Sequence, residues 1–179
     1  QIDSLALGWD HTCAIWDNGS VSCWGGNDNG QLGLGSTTDI GDGASEMGDN
    51  LGFATLPYSA TQITAGDGFT CAVLQEASTK GVYCWGLNDY GQLGVESTTT
   101  VGDGVGTSMS SITETDLSAT DFVPLDAGED HVCAIIVYAT SYKAVKCWGN
   151  GADGRLGYGS QDSRGTGPGS TNGMGSNLG

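Results

Sequence analysis

The sequence predicts an all-β chain built from three similar units that stack on one another. Three observations point there: 32 glycines against 3 prolines, a motif beginning Cys-Trp-Gly that is written three times, and six cysteines at matching places in the three units. Each interior glycine costs a helix about 1 kcal/mol relative to alanine, so helices are disfavoured. Short strands joined by tight turns are the structure that this composition favours.

The repeat is visible in three aligned stretches. They read "CWGGNDNGQLGLG" from residue 23, "CWGLNDYGQLGVE" from residue 84 and "CWGNGADGRLGYG" from residue 147, so the Trp-Gly pairs lie 61 and 63 residues apart. A period of this length is typical of stacked repeats. We divide the chain into repeat 1 (1–62), repeat 2 (63–124) and repeat 3 (125–179), which form one continuous domain, and we expect it to be part of a longer chain.

Each unit also predicts a β-hairpin upstream of its Cys-Trp-Gly. A glycine stands five residues before the first cysteine in "GWDHTCAI", "GDGFTCAV" and "GEDHVCAI", and an apolar strand follows. In the first unit a three-residue tip of Asp17, Asn18 and Gly19, with Gly19 in the left-handed region, would join the strands. In that register Cys13 lies directly opposite Cys23, which suits a disulfide.

The cysteines are therefore expected to form one bridge within each unit. The tips differ in length, yet each closes on the same two strand positions. A free buried cysteine, packing as a small hydrophobe, is the alternative for any single pair. Zinc is disfavoured because the gaps between the paired cysteines lack the close ligand spacing of structural zinc sites. The predicted pairs are Cys13–Cys23, Cys71–Cys84 and Cys133–Cys147.

Both faces of the predicted strands are apolar, which favours stacking of neighbouring units. In the first unit one side carries Cys13, Ile15, Val21 and Cys23, and the other side carries Ala14, Trp16 and Trp24. A sheet covered on one side would alternate apolar and polar residues more regularly. We expect each unit to bury its tryptophan against the next, in a solenoid or a propeller. The predicted repeat core consists of Trp24, Trp85, Trp148, Leu32, Leu93 and Leu156.

The run "GSVSCWG" followed by "NDNGQLGLG" resembles the repeats of the regulator of chromosome condensation family, here called RCC1-like. The resemblance covers the whole chain and is best at Asn27, Gly30, Gln31, Leu32 and Gly33, and again at the matching residues 88 and 91–94. It implies blades of a seven-bladed β-propeller, so three repeats would leave two open faces for further repeats or neighbouring subunits to complete. Intracellular members have ordinary apolar residues in place of the cysteines, so the chain is similar to a disulfide-containing, extracellular-type variant.

The motifs predict no catalytic, cofactor-binding or metal-binding residues. His11 and His131 recur at the same repeat position, where the middle unit has Phe69, so they are interpreted as structural. The glycine-rich stretches lack the Gly-Lys-Ser/Thr of phosphate loops. The segments "NDNG" and "GDG" offer oxygen ligands for Ca²⁺ but not the twelve-residue loop ending in Glu, so Ca²⁺ stays a minor alternative to no cofactor.

Two segments are candidates for glycosylation. Asn18-Gly19-Ser20 is an N-glycosylation sequon at a hairpin tip, where a glycan would meet solvent, although the same three residues also make a good turn. The Ser/Thr-rich segment from Ser97 to Thr120 suits O-glycans in a secreted chain.

The negative net charge of the chain disfavours two classes of partner. With 21 acidic and five basic residues the formal net charge is -16, which repels nucleic acid and anionic membrane surfaces. No apolar run approaches the roughly 20 residues that span a bilayer, and the first residues do not resemble a signal peptide. Gln1 suits either a mature secreted terminus or an excised fragment.

These observations favour a non-enzymatic structural or interaction component of an extracellular or cell-surface assembly, such as a fibre. Its expected partners are proteins, through self-association or neighbouring subunits. A secreted protein-binding or inhibitor propeller is the first alternative. Its candidate anchors are Tyr58, Phe53, Tyr90 and Tyr158, although core packing is the expected fate of each. The second alternative, implied by the family resemblance, is an intracellular guanine-nucleotide exchange factor. It would need reduced cysteines and a basic surface that contacts chromatin.

Overall fold

The computed structural model describes residues 1–104, 108–119, 121–138, 143–169 and 172–178, and it confirms the all-β prediction. Within these residues lie three antiparallel three-stranded sheets, each formed by consecutive strands. Sheet 1 contains β1 (Ile2–Leu7), β2 (His11–Trp16) and β3 (Val21–Gly25). Sheet 2 contains β4 (Ser59–Ala65), β5 (Phe69–Glu76) and β6 (Thr79–Gly86). Sheet 3 contains β7 (Asp121–Ala127), β8 (His131–Val137) and β9 (Lys143–Gly149). Among the described residues of the long segments after β3, β6 and β9 lie short 3₁₀ turns, at Gly48–Asn50, Met109–Ser111, Ala152–Gly154 and Gly175–Asn177, and isolated β-bridges.

The second and third strands of each sheet form the predicted hairpin. In sheet 1 the Trp16 N–H donates to the Ser20 carbonyl at 2.9 Å, and Gly19 has a φ of 79°, which only glycine adopts without strain. This turn sets the register in which Cys13 pairs with Cys23. The hairpins of the other two sheets have longer strands and reach the same register, with Cys71 opposite Cys84 and Cys133 opposite Cys147.

The first strand of each sheet was not predicted. β1, β4 and β7 each run into the glycine turn before β2, β5 and β8 and pair with those strands. Each contains a β-bulge that breaks the two-residue alternation, and β7 includes Pro124, so the pattern of a strand is weak there. The boundaries predicted at 62/63 and 124/125 consequently fall inside β4 and β7, and the sheets begin a few residues earlier.

The three sheets stack face to face, as the apolar strand faces indicated. One core cluster joins Cys13, Ile15 and Val21 of sheet 1 to Leu74 and Trp85 of sheet 2. A second cluster joins sheet 2 to sheet 3 in the same way, through Cys71, Val73 and Val82 on one side and Ile136 and Trp148 on the other. The middle sheet is thus buried on both faces, while sheets 1 and 3 each bury one.

The repeated Asn-Asp-x-Gly-Gln-Leu loop after the third strand is held by a buried asparagine. The Asn88 amide nitrogen donates to the carbonyls of Ser97 and Thr99 at 2.8 and 3.0 Å, and its oxygen accepts from the Leu93 N–H at 3.0 Å. Asn27 makes the three equivalent bonds in the first unit. Leu32, Leu93 and Leu156, which follow in these loops, are all buried as predicted.

Candidate protein-binding surfaces

Each junction between sheets is closed by a tryptophan that reaches back to the preceding loop. The Trp85 indole N–H donates to the Gln31 carbonyl at 2.9 Å, and the Trp148 indole N–H donates to the Gln92 carbonyl at 3.0 Å. Both rings are fully buried. A buried indole needs such an acceptor, and the large ring supplies much of the buried apolar area, so this contact defines how one unit fits the next.

Trp24 does not belong to the buried core, which corrects the prediction for that residue. Its ring is only half-buried, because the tryptophans pack on the preceding unit rather than on the next one, and no sheet precedes sheet 1 in the described structure. The repeat pattern alone does not contain that direction, which is seen in the bonds of Trp85 and Trp148 to the preceding loops. Trp24 therefore lies half-buried on the outer side of sheet 1.

Equivalent residues define two unpacked surfaces at the ends of the stack. On sheet 1, Leu5 is 58% exposed, whereas its counterpart Ile63 is 9% exposed. Met47 is 40% exposed and its counterpart Met109 is 3% exposed. The N-terminal open face consists of Leu5, Thr12, Trp24 and Met47.

At the other end of the stack, residues of sheet 3 are exposed where their counterparts in sheets 1 and 2 are buried. Val145 of sheet 3 is 58% exposed, whereas the equivalent Val21 and Val82 are 1% and 0% exposed. Ile135 is likewise half-buried, although the matching Ile15 and Val73 are buried. The C-terminal open face consists of His131, Ile135, Val145, Gly154 and Gly157.

The two histidines lie at the same place in sheets 1 and 3, and of the two only His11 faces a neighbouring sheet. Thr70 of sheet 2 donates its one hydroxyl hydrogen to the Gln31 carbonyl at 2.9 Å, so the Nε2 of His11, 2.9 Å away, donates to the Thr70 oxygen. Burial is the largest influence on the imidazole and lowers the pKa of His11, although the Asp10 carboxylate opposes this. His131 also has a lowered pKa, first from burial and then from the Arg155 charge.

This pair does not form a catalytic site. Thr70 and His11 have the spacing of a nucleophile and a base, but Thr70 is fully buried and its hydroxyl already donates to a carbonyl. Among the described residues no group of three or more His, Cys, Asp and Glu side chains is arranged to hold a metal ion. In the same part of the chain no helix is long and apolar enough to cross a membrane.

A third candidate surface lies where the turns after β1, β4 and β7 converge. An open cleft of about 420 Å³ is lined by equivalent residues of the three sheets. The turns are tied together, since the Trp9 N–H donates to the Gly66 carbonyl at 3.3 Å and the Asp67 N–H to the Glu129 carbonyl at 2.8 Å. Trp9 is 82% exposed there, which leaves a large ring open to a partner.

Acidic side chains surround this Trp9 cleft. Burial raises the pKa of Asp67 above its usual value, and the neighbouring carboxylates of Asp130, Asp10 and Glu129 raise it further, while His11 opposes them. The cleft therefore combines negative charge with an exposed aromatic ring. Sequence reasoning missed Trp9, although one signal was available: it interrupts the repeat, since the other units have Asp67 and Glu129 at that position.

All six cysteines form the three disulfides that the sequence predicted. Each bridge lies on the side of its sheet that faces the following unit. The first two are therefore enclosed in the two core clusters. The third lies on the C-terminal open face, where Cys133 is half-buried.

The remaining predicted surface residues differ in exposure. Asn18 is exposed at the sheet 1 tip, with its side-chain oxygen accepting from the Ser20 N–H at 3.0 Å. Phe53 and Tyr90 are exposed, contrary to the core packing expected for them. Tyr58 and Tyr158 are half-buried and pack against the core. Residues 105–107 and 120 of the Ser/Thr-rich segment lie outside the described residues.

Comparison with known proteins gives the family directly. The models of the regulator of chromosome condensation (RCC1) repeat match residues 2–31, 60–92 and 81–135, together more than half of the chain. The X-linked retinitis pigmentosa GTPase regulator of Canis lupus familiaris is 32% identical over 56% of this chain and 9% of its own length. The probable E3 ubiquitin-protein ligase HERC4 of Homo sapiens is 29% identical over 89% of the chain and 13% of its own length. The ultraviolet-B receptor UVR8 of Arabidopsis thaliana is 35% identical over 53% of the chain and 20% of its own length.

Solved structures agree with this fold. Human WBSCR16 matches with a TM-score of 0.65 at 22% identity, over 93% of this chain and 39% of that one. Prp20p of Saccharomyces cerevisiae matches with a TM-score of 0.64 at 23% identity, over 92% of this chain and 37% of that one. The chain thus spans only a minor part of the proteins it resembles. Its matched repeats and its three blade-like sheets establish that it belongs to the RCC1 repeat family.

Proposed function

We propose that this chain is a non-enzymatic protein-interaction component of an extracellular or cell-surface assembly. The observation that carries the interaction role is the cleft where the turns of the three sheets converge, in which Trp9 is 82% and Leu7 73% exposed. Monomeric proteins seldom expose several large apolar side chains together unless a partner covers them. Relatives support this role, since Prp20p of Saccharomyces cerevisiae has binding properties toward Gsp1p and histones.

The disulfides support the extracellular compartment. Such bonds persist in oxidising surroundings and are rare in the reducing cytosol. Here every cysteine is bridged, and two of the three bridges are enclosed in the core, as structural disulfides are. The exposed Asn18 sequon and the net charge of -16 suit a soluble, glycosylated surface.

Mass spectrometry of the protein from its native source tests the compartment. Unreduced digests should contain Cys13–Cys23, Cys71–Cys84 and Cys133–Cys147 as linked peptides, and reduction should separate them. Hexose mass on the Asn18 peptide or within residues 97–120 would add support. Six free thiols and no glycan would overturn the extracellular proposal and favour the exchange-factor alternative, for which GTPase binding would then be measured.

A second candidate, a binding module for a basic protein, is favoured by the Trp9 cleft alone. An aromatic ring beside several carboxylates suits a partner that combines cationic and apolar groups. Proteins that cross-link to the native chain should be lost with Trp9→Ala and kept with the control Tyr90→Ala, which changes an exposed aromatic residue elsewhere. Equal recovery with both variants would contradict binding at the Trp9 cleft.

A further inference from the structure

A cavity lies in the middle unit, beside the tip of the hairpin formed by β5 and β6. It has a volume of about 340 Å³, and its walls include Leu74, Tyr83 and Ala119 together with the carboxylates of Glu76 and Glu114. Sheets 1 and 3 cover the two faces of this sheet, so the cavity lies away from both open faces of the stack. Its size is that of a site for a small ligand. We call it the Tyr83 cavity.

The Glu114 carboxyl group occupies space that a glycine leaves in β6. A Cβ at Gly81 would lie 2.8 Å from the Glu114 carboxyl carbon. Gly81 pairs with Leu74 inside the sheet and does not have a positive φ, so its backbone conformation does not require glycine. A glycine within a strand often marks a place where another group approaches closely. Here that group is the Glu114 carboxyl, which is thereby held in the cavity wall.

The first unit has a cavity at the equivalent place, but without charge. The residues that precede Ala54 and Thr115 are equivalent, since each of these two donates its N–H, at 2.8 Å, to the valine two residues before the Cys-Trp-Gly cysteine. The preceding residue is Phe53 in the first unit and Glu114 in the second. The cavity of the first unit, of about 270 Å³, has no charged residue in its lining. The negative charge therefore belongs to the middle unit and is not required by the fold of the repeat.

The chain supplies no cation to balance the two carboxylates. Lys80 also lines the cavity, but its Nζ pairs with Asp121 at 2.9 Å. Among the residues that the structure describes, no lysine or arginine pairs with Glu76 or Glu114. Burial raises the pKa of Glu114, and the nearby carboxylates of Asp116 and Glu76 raise it further. Like charges held together in this way are unfavourable, and a cation bound from outside would offset their repulsion.

Two tyrosine rings supply an aromatic wall beside these carboxylates. Tyr58 and Tyr83 meet edge to face, with ring centroids 6.3 Å apart and planes at 63°. The Tyr58 hydroxyl donates to the Glu76 carboxylate at 2.6 Å, which holds that carboxylate next to the rings. Burial raises the pKa of Tyr83, and the Glu114 and Glu76 carboxylates raise it further, so both lie near its ring. Aromatic rings and carboxylates together attract ammonium and guanidinium groups.

We propose that the Tyr83 cavity binds an organic cation, whose ammonium or guanidinium group lies against Tyr83 between Glu76 and Glu114. The apolar walls at Leu74 and Ala119 receive the alkyl chain that carries the charge. A free amine or guanidine has this chemistry, and so does a lysine or arginine side chain of a partner protein. The cavity shares no lining residue with the Trp9 cleft, so the inference goes beyond the proposed function and does not depend on it.

Titration of the oxidised, isotope-labelled chain, followed by NMR at low salt, tests the proposal. Butylammonium and butylguanidinium should each shift the amide signals of Gly81, Tyr83 and Glu114 saturably, and neutral butanol should not. Glu114→Gln removes the charge and Glu114→Phe copies the first unit, so each should weaken binding at least about tenfold. Asp49→Asn, which removes an exposed carboxylate elsewhere, and Trp9→Ala should bind as the wild type does. Unchanged signals outside the cavity confirm that the variants are folded.

Acetylated Gly-Lys-Gly and Gly-Arg-Gly amides distinguish the two sources of the cation. Tighter binding of these peptides than of the butyl compounds supports a side chain of a partner protein, and weaker binding supports a free amine or guanidine. The absence of a saturable shift with every cation would overturn the proposal. Equal shifts with butanol, or equal affinity of the wild type and Glu114→Gln, would overturn it as well. None of these results depends on Trp9 or on the disulfide state in the native source, so the proposed function fails or stands separately.

Discussion

At the scale of single residues, one buried asparagine explains much of the repeat signature. Asn27 and Asn88 are buried, and each binds two loop carbonyls and the buried N–H of the leucine that follows in the loop. The third unit has Gly151 at this position and so lacks the side-chain bonds, although its N–H donates to the Ser163 hydroxyl at 3.3 Å as the Asn27 N–H donates to the Asp39 carboxylate at 2.8 Å. The repeated asparagine is therefore explained by the hydrogen bonds that it makes within the loop, and no bound ligand is needed to explain it.

Asn88→Ala is expected to lower the free energy of unfolding by about 2–4 kcal/mol, because it removes three hydrogen bonds of a buried amide and leaves the buried Leu93 N–H without a partner. Chemical denaturation of the oxidised protein measures this loss. Asn50→Ala, at an exposed position, is the matched control and should change stability by no more than about 0.5 kcal/mol. Similar losses in both variants would show that the bonds of Asn88 are not what holds the loop.

His11 makes stability dependent on pH. Burial lowers the pKa of its imidazole in the folded protein, so the folded state resists protonation more than the unfolded state does. This stability is fully present above the unfolded value of about 6.5 and is lost as the pH falls below it. His131 contributes with the same sign. Asp67 and Glu114, whose carboxyl pKa values are raised, act in the opposite direction at lower pH.

We expect His11→Phe, which copies the Phe69 of the middle unit, to reduce the loss of unfolding free energy between about pH 7.5 and 5.5. Phenylalanine fits the position, because Gly8 packs against the His11 ring as Gly66 packs against Phe69. Urea denaturation at several pH values gives the slope. Identical slopes for wild type and His11→Phe would mean that His11 does not titrate differently in the two states.

At the scale of strands and hairpins, the sequence predicted the strands in which distinctive residues, above all the cysteines, recur in every unit. The cysteine positions and the Asn18-Gly19 tip were enough to give the hairpin register and the disulfide pairs. No distinctive residue of this kind recurs in β1, β4 and β7, and their bulges disturb the alternation of apolar and polar residues that identifies a strand. Trp9 was missed for a related reason: its exposure follows from where three turns converge, which only the stacked structure shows.

The three hairpin disulfides should differ in how readily they are reduced. Cys13–Cys23 and Cys71–Cys84 are enclosed between sheets, whereas Cys133–Cys147 lies on the C-terminal open face with Cys133 half-buried. A reductant must reach a sulfur to react, so access sets the order. Limited reduction of dilute protein, followed by alkylation and peptide mapping, should label Cys133 and Cys147 first. In denaturant the order should disappear. Earlier labelling of Cys71 and Cys84 in the folded protein would contradict the stacking.

At the scale of the whole molecule, stability comes from the stacking of sheets, and the charge acts against compactness. The middle sheet is the only one of the three described sheets with both faces covered, so it anchors the structure. The repeat count predicted open faces, but not which residues line them. Those residues depend on the packing of each tryptophan against the preceding unit, a direction that the one-dimensional pattern does not contain.

The chain has 21 acidic and five basic residues, so its thermal stability should depend on salt concentration. Self-repulsion between carboxylates lowers stability at low ionic strength. Raising NaCl should therefore raise the Tm, because exposed charges more than about 10 Å apart are largely screened at 0.1 M. The same measurement tests Ca²⁺. Since no cluster of metal-ligating side chains occurs in the part of the chain that the structure describes, CaCl₂ should raise the Tm no more than NaCl of equal ionic strength. A larger, saturable rise with Ca²⁺ would reveal a site built from backbone and loop oxygens. A fall in Tm with NaCl would show that local ion pairs, such as Lys80 with Asp121 at 2.9 Å, outweigh the net repulsion.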